Sequence, residues 1–417
     1  MANQNYIDYL NNLKRPYIKI CRLRFLQPDG STAFALDNDY MGKRNKTFIA
    51  SGNLSVNLQN GQRRNASVTL DNVNEEYDYQ YGKMWFGQEI ALDEGMILPD
   101  GTEYYIQQGV FLIDNPQEDV KTNGRTARYN LVDKWANLDG SHLGNLEGTY
   151  EVAVGTNIFN PIVALLAEDR GNGLPLDGIT PVFTEYYNLK TQKLPDGTTV
   201  SFLDSPYTLT VDAGSTKADV VLGLCEMINA WVGYDASGAL RIDPSQDDIR
   251  DATKPIAYSF SMSETSLLGL SYTVKDEDMY NDYIVVGDQL DDNSQPFARA
   301  MNYDPKSDTN INIVGKKTYR EEANGYGTDT QCKDLAVWKL KRATVLKKAV
   351  NVSASQVLHL QENQLIEIVR TDKEDSPVER HLIQGFSRPL VGTQPMTINA
   401  VSVMDFPDLT VITRDSL

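Results

Sequence analysis

The chain has 417 residues, too many for one ordinary hydrophobic core, so two or more domains are expected. Hydrophobic residues make up 41% of it and aromatic residues 9%, which excludes an intrinsically disordered chain. Asp and Glu number 57 against 39 Lys and Arg, and the net charge of −18 disfavours a nucleic-acid binder, since binding to phosphates needs clustered cations. The densest basic stretch lies on a predicted helix and is interpreted as a solvated helix face: Lys339, Lys341, Arg342, Lys347 and Lys348.

Three cysteines and the first residues bear on the compartment. Cys21 falls in a strand pattern, whereas Cys225 and Cys332 fall in helix patterns, all among apolar neighbours. Because they are far apart and odd in number, they are interpreted as buried free thiols in a reducing compartment. The start, MANQNYIDYLNN, lacks the charged and apolar regions of a signal peptide, and no apolar stretch is long enough to span a membrane. We therefore expect the protein to be made and kept in a cytoplasm.

Residues 1–150 predict a first β unit. A helical stripe is present at 5–14, and Asn60-Gly61 and Pro99-Asp100-Gly101 mark hairpin turns. Residues 110–113 are apolar on both faces, which indicates a central covered strand. A short helix around 132–138 is predicted to close the unit. Alternating polar and apolar residues predict its half-buried strands, at 17–26, 53–59 and 126–132.

Residues 151–265 predict a mixed middle domain. A helix is predicted at 156–169, and 171–214 is rich in Gly, Pro, Asp and Thr, which indicates an insertion of loops and short strands. Ser215 is predicted to cap a second helix, and 233–242 is interpreted as a hairpin. The apolar stripe of that helix is predicted to contain Val221, Leu224, Ile228 and Trp231.

Residues 266–417 predict a second β unit. It begins with a buried strand at 283–287, a polar stretch at 288–312 interpreted as an exposed loop, and a helix at 329–346. Strands follow at 364–370, 380–386 and 396–404. No exact repeat is visible, although both ends share one plan, several antiparallel strands with a single helix. The predicted fold class is therefore mainly β with a few helices (α+β).

No catalytic, cofactor-binding or metal-binding residues are predicted, and we expect a protein that is not an enzyme. The three histidines, His142, His359 and His381, have no second His or Cys at metal-ligand spacing, so each is interpreted as a surface or strand-edge residue. The sequence contains no Gly-rich phosphate loop, Gly-x-Ser-x-Gly elbow or His-Glu-x-x-His motif.

Acidic clusters are the strongest candidates for a cation site. The stretch Asp37-Asn38-Asp39 before Gly42 faintly resembles a calcium loop, but Phe48 stands where the bidentate Glu is required. The clusters are therefore interpreted as turns and solvated loops of a chain with surplus acid. Two further groups could hold Ca²⁺: Asp276, Glu277 and Asp278 with Asp282, and Asp288 with Asp291 and Asp292.

Three segments in order carry a family resemblance. ILPDGTEYYIQQGVFLIDNP, at 97–116, resembles a hairpin, Gly-x-Phe and strand that recurs in tail-tip proteins. The helix at 215–231 with the hairpin at 238–242, and then NDYIVVG at 281–287, resemble the centre and last part of the same proteins. By order and spacing over roughly 17–405, the chain resembles the baseplate hub, or tail-tip hub, family of tailed bacteriophages and related contractile injection systems.

The resemblance implies two tail-tube-like antiparallel β-barrels, each with a helix, at 1–150 and 266–417, around the middle domain at 151–265. It implies a homotrimeric ring of six tube-like units that adapts a six-fold tail tube to a three-fold spike or fibre. The implied partners are a tail tube or distal tail protein, a spike or fibre protein and a tape-measure protein. DNA would pass through the channel without specific binding. The expected location is the tail tip of the virion, after assembly in the host cytoplasm.

The acidic composition adds an expectation about the channel. An acidic wall would repel DNA and limit sticking, so that replacing lumen residues by Lys should slow DNA ejection.

Two other functions remain open at this point. One is a tail protein or adhesin that binds host carbohydrate, because tyrosines and tryptophans can stack on sugars. The other is a β-rich cell-wall hydrolase, which would need two carboxylates facing each other across a cleft. Two of the four tryptophans, Trp231 and Trp338, fall in helix patterns and are predicted to be core residues; the other two are Trp85 and Trp135.

Overall fold

The computed structural model describes residues 4–11, 17–38, 48–79, 84–122, 124–184, 191–193, 198–228, 230–244, 255–262, 266–274, 279–290, 293–323, 326–345, 348–402 and 406–414. The N-terminal part consists of α1 (Gln4–Asn11), β1 (Lys19–Leu26), β2 (Thr32–Asp37), β3 (Ile49–Asn57), β4 (Arg64–Asp71), β5 (Ile90–Ile97), β6 (Glu103–Lys121), β7 (Gly124–Asp133) and a 3₁₀ turn, η1 (Lys134–Asn137).

The middle part consists of β8 (Tyr150–Val152), α2 (Phe159–Ala167), β9 (Val182–Phe183), β10 (Thr191–Lys193), β11 (Thr199–Ser201), β12 (Leu209–Val211), α3 (Lys217–Met227), β13 (Ala230–Tyr234) and β14 (Leu240–Pro244). The C-terminal part consists of β15 (Ile256–Ser261), β16 (Leu267–Val274), β17 (Asp282–Val286), β18 (Phe297–Asn302), α4 (Ile311–Val314), β19 (Thr318–Glu322), α5 (Asp329–Val345), β20 (Lys348–Ala354), β21 (Leu365–Val369), β22 (Val378–Pro389), β23 (Met396–Ser402) and β24 (Leu409–Thr413). The protein is mainly β with large antiparallel sheets and a few helices, so the predicted fold class is confirmed.

Two sets of five strands have the same topology. In the N-terminal β unit the strands lie in the order β3-β4-β7-β6-β5, and in the C-terminal β unit in the order β16-β20-β23-β22-β21. Every neighbouring pair in both sets is antiparallel. The chain also visits the five positions in the same sequence in both sets. The shared plan that the sequence predicts is thus present as a repeated topology.

The two β units are joined edge to edge. Strand β22 pairs with β21 through residues 378–382 and with β3 through residues 385–389, so β3 extends the C-terminal sheet. One sheet therefore runs from β16 through β22 and β3 to β5, β1 and β2. Its covered face packs on one hydrophobic core, to which both units contribute, for example Leu54 and Tyr129 from one and Val352 and Ile398 from the other.

A separate subdomain is formed mainly by the segment between β16 and β20, and β24, which follows β23, completes it. Strands β19, β17, β18 and β24 form its four-stranded sheet, and α5 packs on β17 and β18. It has its own core, which includes Val285, Ala298 and Leu340. The middle part likewise has its own core, built around α2, α3 and the β13–β14 hairpin.

Several predicted elements are confirmed, among them the short helix around 132–138, which is the 3₁₀ helix Lys134–Asn137. Two predictions are wrong. The stretch predicted as an exposed loop at 288–312 contains β18, in which Ala298 and Ala300 are fully buried. Alanine has weak strand propensity and polar stretches lie on both sides of the strand, so the sequence pattern did not reveal it. Trp231, predicted on a helix, lies in β13 because the helix ends at Met227.

The cap of α3 also differs from the prediction by one residue. Thr216, rather than Ser215, is the N-cap, and its hydroxyl accepts a hydrogen bond from the Asp219 backbone N–H. The Asp219 carboxylate accepts in return from the Thr216 backbone N–H at 2.8 Å. This reciprocal capping box favours Thr216 because Asp219 stands three residues after it.

Candidate functional site

The central rows on the exposed face of the continuous sheet consist mainly of small neutral polar residues. Residues directly opposite each other in antiparallel strands share a face, so the pairing register defines rows that cross the sheet from β16 to β7. We call these residues the polar face: Gly269, Ser271, Asn351, Ser353, Thr397, Asn399, Gly385, Ser387, Pro389, Ser51, Asn53, Ser55, Asn57, Asn65, Ser67, Thr69, Arg128 and Asn130.

Charge is nearly absent from the polar face. Arg128 is its one charged member, in a chain whose net charge is −18. The rows run through both β units, as in Ser353–Thr397–Ser387–Ser55–Asn65. All members except Gly385 are at least partly exposed. These rows lack the clustered cations that bind phosphates. Carboxylates lie beside them on the same face, those of Asp71 on β4 and of Asp114 and Asp119 on β6.

A buried ion cluster lies beneath the junction of the two β units. Glu94 on β5 contacts Lys19 on β1 at 2.6 Å and Arg388 on β22 at 2.6 Å, and all three side chains are buried. Burial alone would raise the pKa of Glu94, but Arg388 and Lys19 together lower it below its ordinary value. The Glu94 carboxylate is therefore charged at neutral pH and holds a cation from the opposite unit.

The same guanidinium is saturated by neutral acceptors. Arg388 donates to the Gln108 side chain at 2.6 Å and to the Val357 and Leu358 carbonyls at 3.1 and 3.2 Å. Gln108 lies on β6 of the N-terminal unit and donates to the Leu358 carbonyl as well. Each nitrogen of this buried guanidinium has a hydrogen-bond partner, which favours a stable buried ion pair.

A second buried arginine joins three parts of the chain. Arg64, at the start of β4, donates to the Gln108 carbonyl at 2.8 Å, to the Tyr234 carbonyl at 3.3 Å and to Gln361 at 2.7 Å, and it pairs with Glu362. Tyr234 belongs to the middle part, and residues 361 and 362 belong to the C-terminal unit. The orientation of all three parts is thus tied to one side chain.

Asp133 fixes the backbone at Arg64. Its carboxylate accepts hydrogen bonds from the backbone N–H groups of Arg63 and Arg64, both at 2.8 Å, and of Trp135 at 3.1 Å. Burial raises its pKa to about 6, although these bonds oppose the shift. Beside it, Lys134 pairs with Asp177 at 2.6 Å and so ties η1 to the middle part.

The histidines and acidic residues singled out in the sequence do not converge. Asp282 is buried and paired with Arg299 at 2.7 Å rather than solvated in a loop, and His381 is buried in β22 rather than at a surface. Burial lowers the pKa of His359 and of His381. Among the described residues, no group of His, Cys, Asp and Glu is placed to hold a metal ion. Seven residues of the acidic stretches lie outside the described residues: Asp39, Gly42, 276–278 and 291–292.

The tryptophans and cysteines are mostly structural. Trp135 and Trp231 are buried, whereas Trp85 is partly exposed and stacks on Tyr79 with ring centroids 4.8 Å apart. Cys21, Cys225 and Cys332 are free and buried, as predicted. No helix in the described part of the chain is long and apolar enough to cross a membrane.

Sequence reasoning missed the residues that organise the junction. Lys19, Glu94 and Arg388 lie far apart in the chain, so no local pattern shows that they meet, although Lys19 is in step with the apolar residues of β1 and Glu94 with those of β5. A signal does exist for Arg64 and Asp133, because both stand where a buried residue is expected in a strand pattern. A charged residue at such a position indicates a buried partner.

No family model matches the sequence, and no curated protein is detectably similar to it. Solved structures do match over nearly the whole chain. A tail protein from Neisseria meningitidis MC58 has a TM-score of 0.61 at 9% identity, with 93% of this chain and 97% of that chain covered. The 43 kDa tail protein of prophage MuSo2 from Shewanella oneidensis has a TM-score of 0.58 at 11% identity, with 92% and 98% covered.

A third match extends the same group. The prophage tail protein gp18 from Listeria monocytogenes EGD-e has a TM-score of 0.53 at 8% identity, with 92% of this chain and 94% of that chain covered. At such low identity, the similarity establishes the fold and nothing finer. The resemblance to tail proteins that the sequence indicates is confirmed at that level: this chain has the fold of phage tail proteins.

Proposed function

We propose that the chain is a non-catalytic tail-tip hub, three copies of which form a ring in the baseplate of a phage tail. The observation that carries the proposal is the repeated five-strand topology, with the two units joined edge to edge through β22 and β3. Three chains placed in a ring would then present six similar β units. A six-fold tube could contact all six, and a three-fold spike or fibre could contact the features that occur once per chain.

The buried junction suits this role. The Glu94–Arg388 pair and the Arg64 contacts fix the two β units as one rigid body. A ring that joins two symmetries needs this rigidity, because the offset between the units sets the pseudo-six-fold spacing. Head-to-tail contacts between copies close into a ring when the rotation per copy fits. The partners we propose are a tail tube or distal tail protein, a spike or fibre protein and a tape-measure protein.

The polar face is the proposed wall of the channel. In place of the acidic wall expected from composition, this face offers Ser, Thr and Asn side chains with Arg128 as its one charge. DNA would pass without specific binding because the wall lacks the clustered cations that hold phosphates.

The mass and shape of the purified protein test the ring. Native mass spectrometry over a range of protein concentrations is expected to show a species of three times the 46.6 kDa chain mass. Electron cryo-microscopy of that species is expected to show a three-fold ring with a central hole and six similar lobes. A protein that stays monomeric at every concentration, or a closed particle without a hole, would overturn the proposal.

A triple substitution tests the channel. Replacing Asn53, Asn130 and Asn399 by Lys on the polar face should make the ring bind double-stranded DNA in a salt-dependent way. The matched control places three lysines at exposed positions outside the face, Gln27, Asn172 and Gln289. Equal DNA binding by both variants would show that the face does not line the channel.

A further inference from the structure

Several strands of the large sheet, among them β2, β15, β16 and part of β6, have an edge with no described strand beside it. Two of these edges, on β16 and on β6, are related by the repeat. Strand β16 pairs only with β20, which leaves its other edge open. Strand β6 pairs with β5 through residues 103–111 and with β7 through residues 111–121. Beyond residue 111, the edge of β6 on the β5 side is therefore open, and residues 117–121 are all exposed.

Because the two β units repeat the same topology, each open edge can be compared with the equivalent strand of the other unit. By position in the two sets, β16 is equivalent to β3, and β6 is equivalent to β22. Strands β3 and β22 are the two that pair with each other at the junction between the units. Each open edge is thus the counterpart of an edge that is filled inside the chain.

Residues of β3 can be matched with residues of β16 because each strand has a β-bulge at the corresponding place. Strand β3 skips one residue against β4 after Ile49, and β16 skips one residue against β20 after Leu267. Counting onward from these bulges, Asn53 corresponds to Ser271 and Leu54 to Tyr272. Positions in β6 and β22 are matched through the strands that they pair with, β7 and β23. In these two strands, Arg128 corresponds to Thr397.

The same route assigns the facing strand. Gln117 of β6 pairs with Arg128, and Ser387 of β22 pairs with Thr397, so Gln117 corresponds to Ser387 and Asp119 to Pro389. Inside the chain, Pro389 pairs with Asn53. The hydrogen bond from the Leu390 N–H to the Gly52 carbonyl, at 2.9 Å, marks Pro389 and Asn53 as a non-hydrogen-bonded pair.

We propose, on the basis of the hub function above, that β16 of one copy pairs antiparallel with the 117–121 segment of β6 in the next copy. The register is that of the internal junction: Ser271 faces Asp119 and Thr273 faces Gln117. The contact between copies thereby repeats the contact within each copy. Three such contacts close the ring and leave neither edge open.

The composition of β16 supports a designed contact. Its sequence LLGLSYTV contains no charged residue, although exposed edge strands are ordinarily protected by charge against uncontrolled pairing. Tyr272 is 42% exposed, whereas its counterpart Leu54, covered by β22, is fully buried. The partner segment carries Glu118, Asp119 and Lys121, and its charges disfavour pairing with itself.

A cysteine pair tests the register. We expect Asp119→Cys combined with Ser271→Cys to form disulfides between copies, because the Cα atoms of non-hydrogen-bonded pairs lie within disulfide range. Both positions are exposed and on the polar side, and the three native thiols are buried. After oxidation, the band on a non-reducing gel should shift from one chain mass to three, and reduction should reverse the shift.

A pair slipped by one residue, Val120→Cys with Ser271→Cys, is the matched control, since a one-residue slip turns one side chain to the opposite face. Gln117→Cys with Thr273→Cys provides a second matched pair if the first impairs folding. A trimer by native mass whose matched pairs give no covalent trimer overturns the edge pairing and leaves the hub intact. A protein that is monomeric before oxidation and yields no covalent trimer overturns both proposals.

Discussion

The two β units have the same strand topology, but the connections between their strands differ. In the N-terminal unit, β3 and β4 are joined by a short turn with Asn60 and Gly61, whereas in the C-terminal unit β16 and β20 are separated by most of a subdomain. Neighbouring antiparallel strands end side by side, so an insertion with adjacent ends fits where a turn does. Loop closure costs little more for a long connection than for a short one. The sheet therefore constrains the strands and leaves the connection free to change.

The connections also differ in what they contact. The N-terminal turn docks on the middle part, where the Gly61 N–H donates to the Val232 carbonyl at 2.9 Å and Asn60 accepts from the Val232 N–H at 3.0 Å. The inserted subdomain instead carries its own core. One copy of the repeat thus fixes the middle part, and the other supplies a separate surface. This asymmetry is what a pseudo-six-fold ring with three-fold features requires.

The largest expected effect breaks the junction between the units. Arg388→Met leaves Glu94 buried with one cation fewer, and removing one partner of a buried pair costs about 3–5 kcal/mol. Chemical denaturation should show this loss in the free energy of unfolding. Arg380→Met, on the same strand but with a half-exposed pair to Glu367, is the control and should change stability by less than about 0.5 kcal/mol. Similar losses in the two variants would contradict the assigned role of Arg388.

A second pair of substitutions compares equivalent positions in the two units. Leu54→Ala removes a fully buried side chain under β22 and should cost about 2–5 kcal/mol. Tyr272→Ala, at the open counterpart, should cost the isolated chain only about 1 kcal/mol. If the proposed trimer forms, the same change should weaken it, which native mass spectrometry can follow by dilution. Equal costs in the isolated chain would show that coverage by β22 is not what distinguishes the two positions.

These positions show which parts of the fold can be predicted from the sequence. Alternating strands, the Asn60-Gly61 turn and the buried run at 110–113 are local signals, and each is confirmed. The pairing of β3 with β22 is not predictable locally, because Asn53 and Pro389 are more than three hundred positions apart. Strand β18 was hidden because Ala298 and Ala300 carry little strand signal. The residues that form the junction are far apart in the sequence. The sequence therefore predicted two similar sets of strands but not the contacts between them.

The third effect depends on pH. Asp133 has a folded-state pKa of about 6, above that of an unfolded aspartate near 3.9, so its favourable contribution is complete at low pH and is lost as pH rises through about 6. Asp133→Asn removes the titration. The stability difference between wild type and variant should therefore shrink by roughly 1 kcal/mol per pH unit between about pH 4 and 6. A difference that stays constant across this range would show that Asp133 does not titrate there.

The smallest expected effect is that of a substitution in the turn between β3 and β4, which tests how this connection is held. Gly61 has φ +91°, and a Cβ there would lie 3.2 Å from the Trp135 ring, so Gly61→Ala combines backbone strain with a tight contact. We expect a loss of about 1–2 kcal/mol. Gly30, with φ +80° and open space around it, is the control for strain alone, and Gly30→Ala should cost about 1 kcal/mol. If Gly61→Ala costs no more than Gly30→Ala, then Trp135 does not fix the turn, and the middle part is held by the backbone hydrogen bonds to Val232 and by Arg64.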